Sequence, residues 1–429
     1  MRVASWLSGW LIVHSLFLPF GMAGEGTGEV VRLEGVIEEA LAKNPELQAA
    51  KARWQAAKLR IPQASALPDP TAGTMVMGKM LETRLGPQKN VFEVEQMVPF
   101  PGKLWEKHRM AVAEAGAAEA VMRAVERELI LKVSRAYADL YAVDATTRVV
   151  EGLRDLLRNF ENIAQARYAS QAGSQRDVAK AQTEVSETLE RLVVLRQQRQ
   201  TLAALLNALL DRDPSSPVGA AAKLDMPRLA STVEDLLTLA KQHRPQLHEA
   251  QAMVRRDRSA SALAKWDYLP DVSVGFQYVR IGGGTTTDPH DGRDAWMVPL
   301  KVTLPLWQNR LVPAVLEATR NLKSSEAQFA QATNLAEYEV KDAYYRFTAA
   351  KQIIELYENA LLPEAELAFH SDQAGYEAGR TDALNLIDSE RVYLNAKATY
   401  HQAEAEVLKD FAELERAVGT DLRQEGGTP

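Results

Sequence analysis

The sequence predicts a mainly α-helical fold with a small transmembrane β part, built from two copies of one unit. Three observations in the 429 residues support this fold class. Similar segments recur about 200 residues apart, long stretches lack proline, and four short segments alternate between apolar and polar residues.

The repeat sets the domain organisation, because the similar segments keep their order along the chain. It predicts a first structural repeat over residues 24–228, a second over residues 229–420, and a C-terminal tail over residues 421–429. The matching pairs are NPEL at Asn44 and RPQL at Arg244, LPD at Leu67 and at Leu269, and VSRAYADLY at Val133 and VKDAYYRFT at Val340.

Each repeat is predicted to open with a short helix that leads to the LPD triplet. Asn44 is a good N-cap residue and Pro45 suits the first helical position, so the first of these helices runs to about Ala66. Arg244, at the same place in the second repeat, is a poor capping residue.

Four alternating segments predict strands at about residues 71–81, 90–99, 272–281 and 295–305. In the second of them Phe92 and Val94 oppose Glu93 and Glu95. Apolar outside and polar inside is the pattern of a membrane barrel, and strands of about 10 residues can cross a bilayer. Four strands cannot enclose a lumen, so the chain is expected to oligomerise. A soluble four-stranded sheet with one wet face is the alternative.

Long helices follow the strands in both repeats. Proline is absent from Lys103 to about Tyr168, which predicts one helix of about 100 Å, and a returning helix follows over residues 176–210. Pro363 is expected to kink the corresponding long helix of the second repeat. Apolar residues at intervals of seven predict a coiled-coil seam on each returning helix. They are Val178, Val185, Leu192 and Leu206 in the first repeat, and Leu386, Tyr393, Tyr400, Val407 and Leu414 in the second.

The N-terminus and the composition bound the location and the partners. Arg2, an apolar run to Phe20, and Gly21 and Ala23 predict a signal peptide over residues 1–23, with a membrane anchor as the alternative. A formal charge of -7 without a basic cluster argues against nucleic acid as a partner. The chain has no cysteine, its seven histidines lack metal-site spacings, and no phosphate-binding glycine motif occurs. We therefore expect no enzymatic activity, no metal site and no cofactor.

In these features the chain resembles the TolC-like outer-membrane efflux protein family over essentially all of its mature length. The resemblance is greatest to the channel components of heavy-metal and related tripartite exporters. It depends on the duplication, the PFPGK corner at Pro99, the turn YASQAGSQRDVAKAQTE from Tyr168, and the turn YEAGRTDALNLIDSERVYLNAKATY from Tyr376.

The resemblance implies an architecture, a location and a set of partners. Family members are homotrimers in which four strands from each chain form a 12-stranded outer-membrane β-barrel, continued by a periplasmic α-helical barrel. The channel is a passive exit duct that works with a periplasmic adaptor protein and an inner-membrane pump, here of the RND type. Heavy-metal cations are the implied substrate, with drugs, dyes and organic acids as alternatives. A soluble periplasmic scaffold or adaptor without a barrel is the competing function.

The resemblance also implies roles for individual residues at the periplasmic end. Gly173 and Gly379 correspond to the adaptor-docking tips of the helical hairpins. The residues at or near the periplasmic gate are Asp177, Tyr376, Arg380, Asn385 and Asp388. A simple helix-capping role is the alternative for Asp177.

At the other end, the resemblance places corners where strands give way to helices. In the first corner the prolines end sheet pairing and Gly102 relieves the turn. The corner residues are Pro99, Pro101, Gly102 and Pro305, and the aromatic residues expected at the lipid boundary are Trp105, Trp266 and Trp307.

Overall fold

The computed structural model describes residues 30–171, 173–284 and 287–423. The expected signal peptide, the first residues of the first repeat and residues 424–429 of the expected tail lie outside this part of the chain. Within it, no helix is both long enough and apolar enough to cross a membrane.

Helices dominate the fold, and the strands form one small sheet. In chain order the elements are α1 (Leu33–Lys43), α2 (Pro45–Ser65), β1 (Thr71–Thr83), β2 (Gly86–Val98), α3 (Pro101–Ala169), α4 (Gln175–Leu209), α5 (Val233–His243), α6 (Pro245–Trp266), β3 (Val272–Ile281), β4 (Ala295–Met297), β5 (Leu300–Val302), α7 (Gln308–Leu356), α8 (Leu362–Glu377) and α9 (Ala383–Val418).

The sheet is antiparallel, with the order β1-β2-β3-β4 and with β5 also paired to β3. Val94 lies opposite Phe276 in the register of β2 and β3. Among the described residues, no strand pairs with the outer edge of β1 or with the outer edges of β4 and β5. The sheet is therefore open on both sides.

The strand expected over residues 295–305 is wrong in one respect, since it is two short strands rather than one. Pro299 separates β4 from β5 and has no N–H to donate to the ladder. Its carbonyl accepts the N–H of Gly275 at 2.9 Å, and a side chain at Gly275 would meet the proline ring at 2.9 Å. The glycine allows the interrupted strand to stay against β3.

The two faces of the sheet differ as the alternation predicts. Large apolar side chains are exposed on one face, among them Phe92, Val94 and Phe276. On the other face the Lys301 ammonium contacts the carboxylates of Glu93 and Glu95. Such an exposed apolar face is unfavourable in water, so it has to be covered.

The 69-residue helix α3 is the element against which α1, α2, α4, α6 and α9 pack. Its middle carries the largest buried cluster, in which Tyr137 and Leu140 are fully buried. The Tyr137 hydroxyl donates to the Val31 carbonyl at 2.9 Å and accepts the N–H of Ala222 at 3.1 Å. The chain segments before α1 and after α4 are thereby attached to the middle of α3.

Short and returning helices stack end to end along α3, as the lengths of the predicted helices suggest. At the first junction Asn44 caps α2 by accepting the N–H of Leu47 at 3.2 Å, and its amide donates to the carbonyl of Leu209 at 3.0 Å. At the second junction the guanidinium of Arg244 donates to the carbonyl of Ala417 at 3.1 Å. Each junction therefore satisfies a carbonyl at the end of a returning helix.

The predicted seams are buried or partly buried. Leu192 and Leu206 of α4 and Leu386, Val407 and Leu414 of α9 are all buried. Where the first seam lacks an apolar residue, Arg199 binds Asp144 of α3 at 2.7 Å.

Pro363 perturbs the long helix of the second repeat in a specific way. Five residues, Tyr357–Leu361, form a π-helical segment, and α8 begins directly after it with Pro363 in its first turn. A wider turn removes the demand for a proline N–H, which is how the helical path continues past this residue.

Candidate gate at the hairpin tips and anchor at the corners

The two hairpin turns lie side by side and enclose a hollow of about 340 Å³. The hollow brings together most of the residues that the sequence assigns to the gate and the tips. Its lining comprises Ala164, Arg167, Gly173, Asp177, Tyr376, Gly379, Arg380, Thr381 and Asp382.

The first turn connects α3 to α4 and ends in a capping box. The Ser174 hydroxyl accepts the N–H of Asp177, and the Asp177 carboxylate accepts the N–H of Ser174, both at 3.3 Å. A capping box satisfies two of the free N–H groups at a helix start. Asp177 therefore caps α4, and its side chain also lines the hollow.

The second turn connects α8 to α9 and is tighter. Gly379 has a φ of 71°, in the left-handed region that glycine adopts without strain. The carbonyl of Gly375 accepts the N–H of Arg380 at 2.8 Å, and the Asp382 carboxylate caps α9 by accepting the N–H of Asn385 at 3.0 Å. These bonds fix the turn, and Arg380, which lines the hollow, is exposed.

Tyr376 anchors the second turn to the first hairpin. It is only 6% exposed, and its ring meets Phe160 of α3 edge to face with centroids 6.1 Å apart. The guanidinium of Arg167 lies over the same ring at 5.2 Å. Sequence reasoning missed Phe160 and Arg167, because a contact between two helices more than 200 residues apart leaves no local signal.

The remaining two residues assigned to the gate lie outside the hollow. Asn385 and Asp388 are exposed on the first turns of α9. Asp388 contributes to the raised pKa of Arg391, after the larger effect of Glu184, whose carboxylate bonds the guanidinium. The structure thus groups Asp177, Tyr376 and Arg380, and sets Asn385 and Asp388 apart from them.

Above the tips, the two hairpins meet along a seam between α9 and the first hairpin. Near the middle of α3, the Tyr141 hydroxyl donates to Glu404 of α9 at 2.7 Å. Nearer the tips, Arg391 of α9 binds Glu184 of α4. Glu390, next to Arg391, is only 1% exposed, and neither of its carboxyl oxygens has a hydrogen-bond partner among the described residues. Burial, and secondarily the charge of Glu184, raise the pKa of Glu390 to about 8. The carboxyl is therefore neutral below that pH.

At the opposite end, Asp271 locks the first corner. Pro99 and Pro101 flank Phe100, the N-cap residue of α3. The Phe100 N–H donates to the Asp271 carboxylate at 2.8 Å, and the Lys103 ammonium binds the same group at 2.9 Å. The corner between sheet and helix is held by charge as well as by proline.

Gly102 has a different role from the one expected. It lies in the first turn of α3 and is not among the residues with a positive φ, so it does not relieve the turn. A side chain there would meet the Trp266 ring at 2.8 Å, and that ring stacks on Phe100 with centroids 5.3 Å apart. Glycine is needed for this close aromatic contact.

The aromatic residues expected at the lipid boundary do lie at the corners. Trp105 is 67% exposed and Trp307, the N-cap residue of α7, is also exposed, whereas Trp266 is partly covered. Pro305 lies in the link between β5 and α7. Exposed tryptophan next to an apolar sheet face is the arrangement of a membrane interface.

Comparison with known proteins gives the same family as the sequence resemblance. The family model described as "Outer membrane efflux protein" matches residues 36–211 and 236–420, one match in each repeat. The cobalt-zinc-cadmium resistance protein CzcC of Cupriavidus metallidurans is 22% identical over 395 residues, which cover 90% of this chain and 90% of the relative.

Solved structures share the fold. The outer membrane protein VceC of Vibrio cholerae superposes with a TM-score of 0.75 at 21% identity, over 91% of this chain and 96% of that chain. CusC superposes with a TM-score of 0.78 at 16% identity, over 92% of this chain and 93% of that chain.

Long helical hairpins that carry a small sheet with an exposed apolar face define a channel-type membrane protein. The chain belongs to the outer membrane efflux protein family, since the family model covers most of both repeats. It is an efflux channel of the outer membrane.

Proposed function

We propose that three copies of the chain form the exit duct of a tripartite efflux system. The open sheet carries this proposal, because its two outer edges are unpaired among the described residues and its apolar face is exposed. Unpaired strand edges cannot face lipid, so the sheet must close with sheets of other copies. Three copies supply 12 strands, the number that the family resemblance implies.

In this assembly the helices continue the duct into the periplasm. The 69 residues of α3 correspond to a length of about 100 Å. We place the hairpin tips, with Gly173 and Gly379, at the far end, where a periplasmic adaptor docks. An inner-membrane pump of the RND type supplies the energy, and the duct itself is passive.

Heavy-metal cations are the proposed substrate. CzcC, the relative of similar length, is a cobalt-zinc-cadmium resistance protein. Exposed carboxylates at the tips, Asp388 and Asp382 among them, would attract cations in a narrow throat formed by three chains.

The proposed gate consists of Asp177, Tyr376, Arg380, Asn385 and Asp388. Tyr376 fixes the second hairpin to the first, and Arg380 and Asp388 are free to meet groups of a neighbouring copy. Opening requires the hairpins to separate, which costs the interhelical contacts at the tips.

Single-channel recording in planar bilayers tests the gate. Asp388→Ala and Asp177→Ala are each expected to raise the conductance severalfold, because each removes a polar contact that holds the proposed gate closed. Ser174→Ala is the matched control, since it removes the other half of the capping box and leaves the carboxylate. Equal conductance in Asp388→Ala and the unmodified channel would remove Asp388 from the gate, and equal effects of Asp177→Ala and Ser174→Ala would reduce Asp177 to a cap.

The assembly itself is tested by mass and by location. The mature protein is expected to extract only with detergent, to run as a trimer, and to show a sheet signal alongside the helical one in circular dichroism. A monomer released into the periplasmic fraction without detergent would instead support the soluble scaffold.

A further inference from the structure

A second hollow, of about 610 Å³, lies between the start of α3 and the end of α6, far from the gate. Its lining contains Glu106, Arg109 and Val112 of α3 and Arg255 and Arg258 of α6. Neither the gate nor the corner uses these residues.

The arginines leave positive charge without protein partners. Arg255 and Arg258 are exposed and make no hydrogen bond or ion pair with any described residue. Arg109 lies 3.5 Å from Glu106 Oε1, at the outer limit of a hydrogen bond. Guanidinium groups converging on one hollow are suited to a phosphate, which they bind through paired N–H donors.

The same hollow contains a carboxylate oxygen that lacks a donor. Glu106 is only 7% exposed, and its Oε2 is buried with no hydrogen-bond partner among the described residues. A buried oxygen of this kind is costly unless a donor reaches it. A phosphodiester alone could not supply that donor, whereas a ligand with an ammonium group beside its phosphodiester could.

The hollow opens on the lipid-facing side of the molecule. Asp271 is in phase with the polar face of β3, and it binds Lys103. Trp105 is two residues further along α3 and so points away from Lys103, and Arg109 and Val112 follow it at helical spacing on the same face. The hollow therefore shares its side with the exposed Trp105 and the apolar face of the sheet.

The upper end of the hollow lies at the depth of a headgroup layer. Arg109 is one turn below Trp105, or about 6 Å, Arg258 is two turns below Trp266, or about 12 Å, and Arg255 is three turns below Trp266, or about 16 Å, so the lower arginines have to reach upward. The polar layer of one leaflet extends about 5–8 Å beyond the hydrocarbon, and arginine side chains reach across several ångströms.

We propose that this hollow binds the phosphoethanolamine headgroup of a membrane phospholipid. Arg109, Arg255 and Arg258 hold the phosphate, Glu106 Oε2 accepts the primary ammonium, and Trp105 and Val112 contact the lipid body. The site rests on the proposed insertion of the sheet in a bilayer. A choline headgroup has no N–H and a glycerol headgroup has no cation, so both should bind less well.

Native mass spectrometry of the full-length assembly tests the site. Protein delipidated in mild detergent is titrated with dioleoyl phosphatidylethanolamine, phosphatidylcholine or phosphatidylglycerol. The unmodified protein is expected to retain one phosphatidylethanolamine per chain, about tenfold more tightly than phosphatidylcholine. Equal retention of all three lipids would overturn the proposal.

Two variants separate the phosphate and ammonium contacts. The double change Arg255→Ala, Arg258→Ala is expected to weaken all three lipids about tenfold, because the phosphate is common to them. Glu106→Gln should lower the preference for phosphatidylethanolamine over phosphatidylcholine about fivefold and leave phosphatidylglycerol unweakened. Lys107→Ala, on the opposite side of α3, is the matched control and should change nothing. A Lys107→Ala effect as large as that of the arginine pair would contradict a built site.

Two further measurements distinguish a lipid phosphate from a soluble one, and failure of the headgroup site from failure of the proposed duct. Inorganic phosphate or free phosphoethanolamine at millimolar concentration should not displace the lipid, and full displacement would make this a site for soluble phosphates. Conductance is recorded on the same preparations. A protein that conducts but shows no lipid preference refutes only the headgroup site, whereas one that neither inserts nor conducts refutes the proposed duct.

Discussion

The two end-to-end helix junctions occupy the same place in the two repeats but are made by a neutral residue in one and a charged residue in the other. Asn44 is a small capping residue that accepts one backbone N–H and donates to one carbonyl. Arg244 makes no side-chain cap, yet its guanidinium reaches the Ala417 carbonyl and the Glu339 carboxylate. The comparison teaches that the repeat conserves the need for a donor at the end of the returning helix, whereas the residue that provides it can change.

The two junctions also differ in charge, although Asn44 and Arg244 are both buried. Arg244 is only 4% exposed, and Glu339, its carboxylate partner, also binds Arg416 at 3.1 Å. Burial raises the pKa of Glu339, but the two guanidinium groups outweigh it and hold that pKa below its usual range. Loss of Arg244 would leave the Ala417 carbonyl without its buried donor and Glu339 with Arg416 as its one remaining guanidinium partner among the described residues, which is costly.

The largest effect is therefore expected at the second junction. Arg244→Ala should lower the free energy of unfolding by about 3–5 kcal/mol, since Glu339 and the Ala417 carbonyl lose a buried donor. Denaturant unfolding followed by the helical signal measures this. Lys241→Ala, which breaks an exposed ion pair with Glu337 nearby, should have little effect. Similar losses in the two variants would contradict a special role for the junction.

A second difference between the repeats lies on the returning helices. When Tyr168 and Tyr376 are aligned, Glu390 of α9 corresponds to Gln182 of α4, which is exposed and donates to Glu161 at 3.1 Å. Glu390 is buried, and no described residue bonds its carboxyl oxygens. In the folded protein Glu390 keeps its proton up to about pH 8, and in the unfolded chain only up to about 4.5.

Stability should therefore fall as the pH rises from about 4.5 to 8, because the unfolded chain binds fewer protons over that range. Glu390→Gln cannot ionise and should remove on the order of 3 kcal/mol of this decline. Unfolding midpoints from pH 5 to 9 measure the slope of stability against pH. This slope does not depend on how much the buried glutamine amide itself changes stability. Glu187→Gln, an exposed neighbour, should keep the unmodified slope. A Glu390→Gln curve parallel to that of the unmodified protein would show that Glu390 is not the titrating group.

A smaller effect is expected at the first junction. Asn44→Ala should cost about 1 kcal/mol, the usual value of a lost N-cap. The same denaturant experiment applies. A loss as large as that of Arg244→Ala would mean that the contact with the carbonyl of the returning helix, rather than the charge of Arg244, governs both junctions.

The smallest effect is expected at the π-helical segment, which interrupts the long helix of the second repeat and has no counterpart in α3. Pro363→Ala should change the free energy of unfolding by less than about 1 kcal/mol. It should also slow hydrogen exchange in Tyr357–Leu361, because an alanine N–H allows the π-helical segment to tighten toward an α-helix. Unchanged exchange would assign the wide turn to packing rather than to proline.

Patterns within single segments predicted much of the fold. The Asn44 cap, the alternating strands around Phe92 and the seven-residue spacing of α9 all depend on near neighbours, so they can be read from the sequence. The alternation predicts one continuous strand through Pro299, but it takes no account of the missing N–H, which splits this strand into β4 and β5. Gly102 was assigned to a turn because its partner, Trp266, lies more than 160 residues away in sequence.

The candidate gate also combines residues that the sequence predicts with contacts that only the structure shows. The resemblance of the turns predicts Asp177, Tyr376 and Gly379 at this end, but it does not predict the cap that Asp382 provides for α9. The contacts of Tyr376 with Phe160 and Arg167 required the two hairpins to be brought together in space.

The sequence by itself determined the duplication, the types of element and the two-faced character of the strands, because repeat order, periodicity and capping are encoded over short distances. Only the tertiary structure decided that Arg244 takes over the role of Asn44, that Glu390 is buried without a partner in the described part of the chain, and that Glu106 and three arginines surround one hollow. The physical reason is that burial and unsatisfied hydrogen bonds are properties of surfaces in contact, and those surfaces come from residues far apart in the chain.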